Sequence, residues 1–141
     1  MHDYEPPGPG GDAVLEANRG YMMPDILLKR AYDKPSESDG TRILVDGMWP
    51  RGVSKQEARI DIWLKDLAPS KELRKWFGHD PNKWNEFQSR YFQELQDHPE
   101  AVNTIIDHTR KGPVTLVYAA KDTEHNNAVA LKKYLKSQAG G

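Results

Sequence analysis

Three short runs of apolar residues stand out along the chain. Ile26, Leu27 and Leu28 lie within 25–30, Ile43, Leu44 and Val45 within 42–46, and Val114 to Tyr118 form the third. Each is too short for a helix and is bounded by polar or turn-forming residues, as in strands covered on both faces. Between the second and third runs the spacing becomes helical. Ser54 with Glu57 fits a capping box and predicts a short helix. Ser70 caps a second helix that reaches Phe77, with Gly78 at the position a terminating glycine takes. Asp80-Pro81 reads as an N-cap followed by a first-turn proline. Behind it Trp84, Phe87, Tyr91 and Leu95 recur at helical spacing and form one apolar stripe. His98-Pro99 interrupts that helix. The next one turns Val102, Ile105 and Ile106 inward and ends by Gly112. A last helix, from about 124 to 136, buries Ala128, Leu131 and Leu135. Residues 60–67 mix the two periods and allow no assignment. Leaving aside the short turn of helix at Ser54, the order β-β-α-α-α-β-α, with a long helical connection before the third strand, predicts an α/β fold: a small, mostly parallel sheet of three to four strands covered by helices.

Residues 1–21 break this pattern. Pro6, Pro7, Gly8, Pro9, Gly10 and Gly11 leave nothing periodic there, and Asp3, Glu5, Asp12 and Glu16 outweigh Arg19. We expect 1–21 to be a flexible acidic tail on a single domain spanning 22–141. The whole chain has 141 residues and a formal charge of -1, which disfavours a uniformly basic nucleic-acid binder. It has no cysteine, which excludes a disulfide scaffold, a thiol nucleophile and a thiolate metal site. No apolar run approaches the roughly 18 residues of a membrane span, and no signal-peptide pattern opens the chain, so a cytoplasmic location is expected.

Candidate chemistry follows the strands, because ligands of parallel α/β sheets bind beyond the carboxyl ends of the strands. Arg30 leaves the first strand. Asp46, Trp49 and Arg51 leave the second. Lys121, Asp122, His125 and Asn126 leave the third. Asp46 fits a general base, or equally an acceptor for its own turn. Trp49 and Arg51 flank a proline turn, and fit either a ring-and-phosphate clamp or a core plug with a loop tie. Lys121 and the following helix start fit an anion site, whereas Asp122 and Asn126 fit simple caps. Asp122 and His125 stand three apart and suit a divalent metal only with a third ligand, from Asp46 or His79. His79 itself suits a structural link. Asp46 and His125 are the catalytic candidates, and Arg30, Trp49, Arg51, Lys121, Asp122 and Asn126 the ligand-binding ones. Together they point to a small anionic or phosphorylated ligand at a strand-end rim, open between binding and catalysis. A nucleic-acid or regulatory module and a protein-interaction domain are the alternatives. No residue pattern names a cofactor, a metal or an oligomeric state.

Several segments carry a resemblance. Gly40-Thr41-Arg42-Ile43-Leu44-Val45-Asp46, Trp49-Pro50-Arg51-Gly52, Leu67-Ala68-Pro69-Ser70, Trp76-Phe77-Gly78-His79-Asp80-Pro81 and Thr115 to Asp122 with His125-Asn126 occur in one order over about 25–136. In this the chain resembles the YeaO-like family of bacterial proteins. The resemblance implies a compact α/β domain and no agreed activity. The family pattern has an arginine between the aspartate and the Trp-Pro-Arg-Gly turn; here Gly47-Met48 fill the interval. No hairpin signal follows a helix pair, so a winged-helix regulator is not expected.

Overall fold

A computed structural model describes residues 11–139 of the chain. Its strands are β1 (Leu27–Arg30), β2 (Thr41–Leu44), β3 (Ile62–Trp63) and β4 (Val114–Tyr118), in one parallel sheet with the order β1-β4-β2-β3. β4, buried at every position, lies at the centre and pairs through Leu116 with both Leu28 and Ile43. A strand with neighbours on both edges and cover on both faces has no polar side, which is why it reads as an unbroken apolar run.

Helices α1 (Gly11–Ala17), α2 (Lys55–Ala58), α3 (Lys71–Phe77), α4 (Trp84–Leu95), α5 (Pro99–Thr109) and α6 (Asn127–Gln138) complete the described residues. Strand residues alternate between two apolar clusters. Ile43, Val45, Leu116 and Tyr118 join the large core with Phe87, Tyr91, Leu95, Ile105, Ile106, Leu131 and Leu135. Leu44 and Val117 join a small one with Ala31, under Trp49, Ile60 and Trp63. One sheet face therefore carries the helical layer. The other has a thin cover of loop and α2. The Trp84, Phe87, Tyr91, Leu95 stripe follows the predicted face: Phe87, Tyr91 and Leu95 are buried, Trp84 stacks on Phe87 at 5.6 Å, and the Tyr91 hydroxyl donates to the Leu67 carbonyl.

A charged cluster locks the start of the sheet. Asp39 accepts from Arg42 Nη1 at 2.8 Å and from Lys29 Nζ at 2.9 Å, and the Arg42 and Asp39 side chains are almost wholly out of solvent. Thr115 donates to the Asp39 carbonyl at 2.8 Å, tying the cluster to β4.

Two expectations are corrected and one unassigned stretch is filled. No regular element was expected before residue 22, yet Gly11–Ala17 is helical and packs on α5 and α6. Val14 is buried, and Asn18 donates to Asn103 and accepts from Arg110. Val14 and Asn18, four apart, form one helical face too short to show as a period. The expectation for 1–10 lies outside the described residues. The unassigned stretch holds β3, whose two residues pair with Ile43 and Leu44, again too few to reveal alternation. Finally, the last helix starts at Asn127 rather than near 124, because Asn126 is its cap. Among the described residues no helix is long and apolar enough to cross a membrane.

Candidate functional site

Because the strands run parallel, their carboxyl ends share one edge. There a cleft of about 770 Å³ opens, lined among others by Asp46, Trp49, Arg51, Lys121, Asp122, His125 and Asn126. This size is in the range of small-molecule sites.

The backbone beyond β2 still follows β4, with Val45 N donating to Val117 O at 3.1 Å. The chain then leaves the sheet, and the half-buried Asp46 turns its carboxylate to the adjoining loop. Oδ2 accepts from Ala119 N at 2.9 Å and Oδ1 from Asn127 Nδ2 at 3.1 Å; the same amide donates to Val45 O. Burial pushes the Asp46 carboxyl above its ordinary value, against these two hydrogen bonds and the Arg74 charge, which favour the anion. Asp46 thus ties the ends of β2 and β4 to the start of α6.

Asp122 organises the other wall. Its Oδ1 accepts from the backbone N–H of Glu124 and His125 at 2.9 and 3.0 Å, and its Oδ2 meets His125 Nδ1 at 3.0 Å. Those backbone hydrogen bonds, with the imidazole, hold the Asp122 carboxyl below its ordinary value. A carboxylate only accepts, so Nδ1 carries the hydrogen and Nε2 is the acceptor of the neutral ring. The ring stands edge-on to Trp84 at 5.4 Å. Asn126 is committed to structure: Oδ1 accepts from Val129 N and Nδ2 donates to Asp122 O, each at 2.9 Å.

Arg51 and Lys121 are exposed at the cleft and form no salt bridge among the described residues. Trp49 is half-buried: its indole N–H donates to Val53 O at 2.6 Å and its ring meets Trp63 edge-on at 5.5 Å, so it roofs the thin sheet face while lining the cleft. Arg30 stands apart from the lining. It donates to the carbonyls of Ala120 and Ala119 at 2.9 and 3.2 Å and lies over Tyr32, bracing the loop that carries Lys121.

The structure adds residues that sequence reasoning did not select. Arg74 lines the cleft from α3, on a helix face whose Arg74-Lys75 sequence gives no sign of a site. Asn127 lies one residue past the predicted set. Phe77 and Phe87 line the cleft as well as the core, and nothing in their spacing marks the difference. His79, at φ 56°, also reaches it. Among the described residues no three His, Asp or Glu groups come together to hold a metal, so the Asp122–His125 pair gains no third ligand.

Comparison with known proteins places this arrangement in a family. The chain is 42% identical to the uncharacterized protein YeaO of Escherichia coli K12 over 113 residues, covering 80% of this chain and 98% of that one. It is 39% identical over 113 residues to Mb3100c of Mycobacterium bovis and to Rv3073c of Mycobacterium tuberculosis H37Rv, each covering 80% of this chain and 95% of the relative. No solved structure matches the chain. The family described as the inactive DUF488-N3 subclade matches residues 25–140, from just before β1 to past the end of α6. The chain therefore belongs to that subclade, and with it to the YeaO-like proteins.

Proposed function

We propose that the cleft at the strand ends binds a small anionic, phosphorylated ligand. One observation carries this reading. Arg51, Arg74 and Lys121 come from three separate segments, stand around one cleft, and form no salt bridge among the described residues. Three cations gathered on a low-dielectric concave wall focus positive potential on whatever occupies it. Asp46 and Asp122 stand in the same lining, held by hydrogen bonds from within the fold, and offset two of the three charges, so the cleft keeps a positive surplus. The description of the family as inactive, and a lining without Ser, Thr or Cys, favour binding without covalent chemistry. A second reading, proton transfer to or from the bound ligand, draws on the oriented Nε2 of His125.

A thermal-shift series with inorganic phosphate, pyrophosphate and sugar phosphates tests the binding. A ligand present at about 100 times its Kd stabilises the folded state by about 2.7 kcal/mol. Arg51→Ala is expected to abolish that shift while leaving the melting temperature of the free protein within a few degrees, since Arg51 is exposed. Equal shifts in Arg51→Ala, Arg74→Ala, Lys121→Ala and the parent protein would sink the proposal. Proton transfer requires in addition that His125→Asn keep the binding and lose turnover of the ligand so found.

A further inference from the structure

Cations account for only part of the cleft wall. Between them the surface is apolar. Met48 lies there 71% exposed and the half-buried Trp49 lines the same space, while Phe77 and Phe87, at 6% and 2% exposed, close it from the core side. An exposed methionine gains nothing from water, and apolar surface inside a concave site is the usual wall for a ring. The thioether of Met48 also suits an aromatic neighbour.

Asp46 supplies a third chemistry in the same cleft. Each carboxylate oxygen takes two hydrogen bonds. Those of Asp46 have one each from within the fold, so each keeps an acceptor site. Phosphate carries no apolar surface, so a bare phosphate or sugar phosphate would leave the apolar wall unused.

We propose that the ligand is a flat aryl or heteroaryl ring bearing an anionic group, the anion met by Arg51, Arg74 and Lys121 and the ring by Met48 and Trp49. This rests on the reading of the cleft as an anion site. Two sources carry that chemistry. A nucleoside monophosphate such as AMP adds the N–H donors of its base's exocyclic amino group for Asp46, and a simple aryl phosphate does not.

Isothermal titration of the full chain with AMP, phenyl phosphate, ribose 5-phosphate and inorganic phosphate separates the cases. The expected result is that the tighter of the two ring-bearing anions binds tenfold or more tighter than ribose 5-phosphate. AMP as the tighter of the two identifies a nucleotide-like ligand, and phenyl phosphate a simple aryl one. Ribose 5-phosphate within tenfold of both overturns the ring while leaving the anion site standing. Binding by none of the four overturns the anion site itself. Met48→Gln keeps the length of an exposed side chain and removes its apolar character. It is expected to weaken the ring-bearing anions at least threefold and to leave ribose 5-phosphate unchanged; unchanged affinity for all four ligands also overturns the ring.

Discussion

Single residues in this protein carry constraints that their type alone does not announce. Asp46 read equally as a base or as a turn acceptor, and in the structure it bridges Ala119 N and Asn127 Nδ2. An asparagine there offers one oxygen for two donors, so one N–H faces another. Asp46→Asn is expected to cost about 1–3 kcal/mol, the range for a stranded buried donor, in a urea-unfolding measurement. Asp39 is the opposite case. Burial alone would raise its carboxyl, but the hydrogen bonds from Lys29, the Ser36 N–H and Arg42 outweigh burial and hold it below the ordinary 3.8. A carboxyl depressed in the folded state contributes stability that is present above its unfolded value and is lost as pH falls through the folded one. Unfolding free energy is therefore expected to drop on acidification below about pH 4. Asp39→Asn should flatten that acid limb. At neutral pH it should also cost about 3–5 kcal/mol, because Arg42 stays buried without its partner. A limb of unchanged slope in that variant would place the acid sensitivity elsewhere.

At the scale of elements, the readable ones are those whose pattern repeats or whose ends carry side-chain caps. Ser54 and Glu57 make the reciprocal cap of α2, Ser70 caps α3 through Leu73 N, and Gly78 ends α3 in the left-handed region. These are local interactions, so the residues that make them are adjacent in the chain and visible there. The α4 stripe was legible for the same reason over about three turns. Phe87 stacks on Phe77 and meets Tyr91 at 5.7 Å, with 2% of its surface exposed. Phe87→Ala is expected to cost about 3–5 kcal/mol in the same unfolding assay. A loss under about 1 kcal/mol would mean that the stripe does not hold the helical layer. Elements held by partners far away in sequence were illegible. The two residues of β3 exist as a strand because β2 lies beside them, and α1 is fixed by Asn103 and Arg110 of the α5 region.

For the whole molecule, the asymmetry of the sheet positions the cleft. One face carries the helical layer and the other a thin cover that includes Trp49, so the loops after β2 and β4 meet helix ends on one side and Trp49 on the other. α1 belongs to the helical layer and contributes no residue to the cleft lining. Removing residues 1–21 deletes the buried Val14, worth about 1.5–3 kcal/mol, and the hydrogen bonds of Asn18 with Asn103 and Arg110. That truncation is expected to lower the melting temperature clearly while leaving the ligand-induced shift intact. A melting temperature equal to that of the full chain would mean that α1 does not stabilise the body.

The sequence by itself determined the class of fold, the central strands and the capped helices, because apolar period and capping are written over neighbouring residues. It also marked Asp46, Arg51, Lys121 and His125 as residues following strands, and once the strands are parallel these stand around one cleft. Tertiary structure alone decided how each is used. Arg30 and Asn126 had polar groups suited to a ligand, yet both are spent on the backbone of the loop and helix beside the cleft. Arg74 and Met48 carried no mark in the sequence as ligand-binding residues, yet chain packing sets them in its wall. Side-chain commitments of this kind depend on which distant backbone groups lack a partner, and that is known only after the chain has folded.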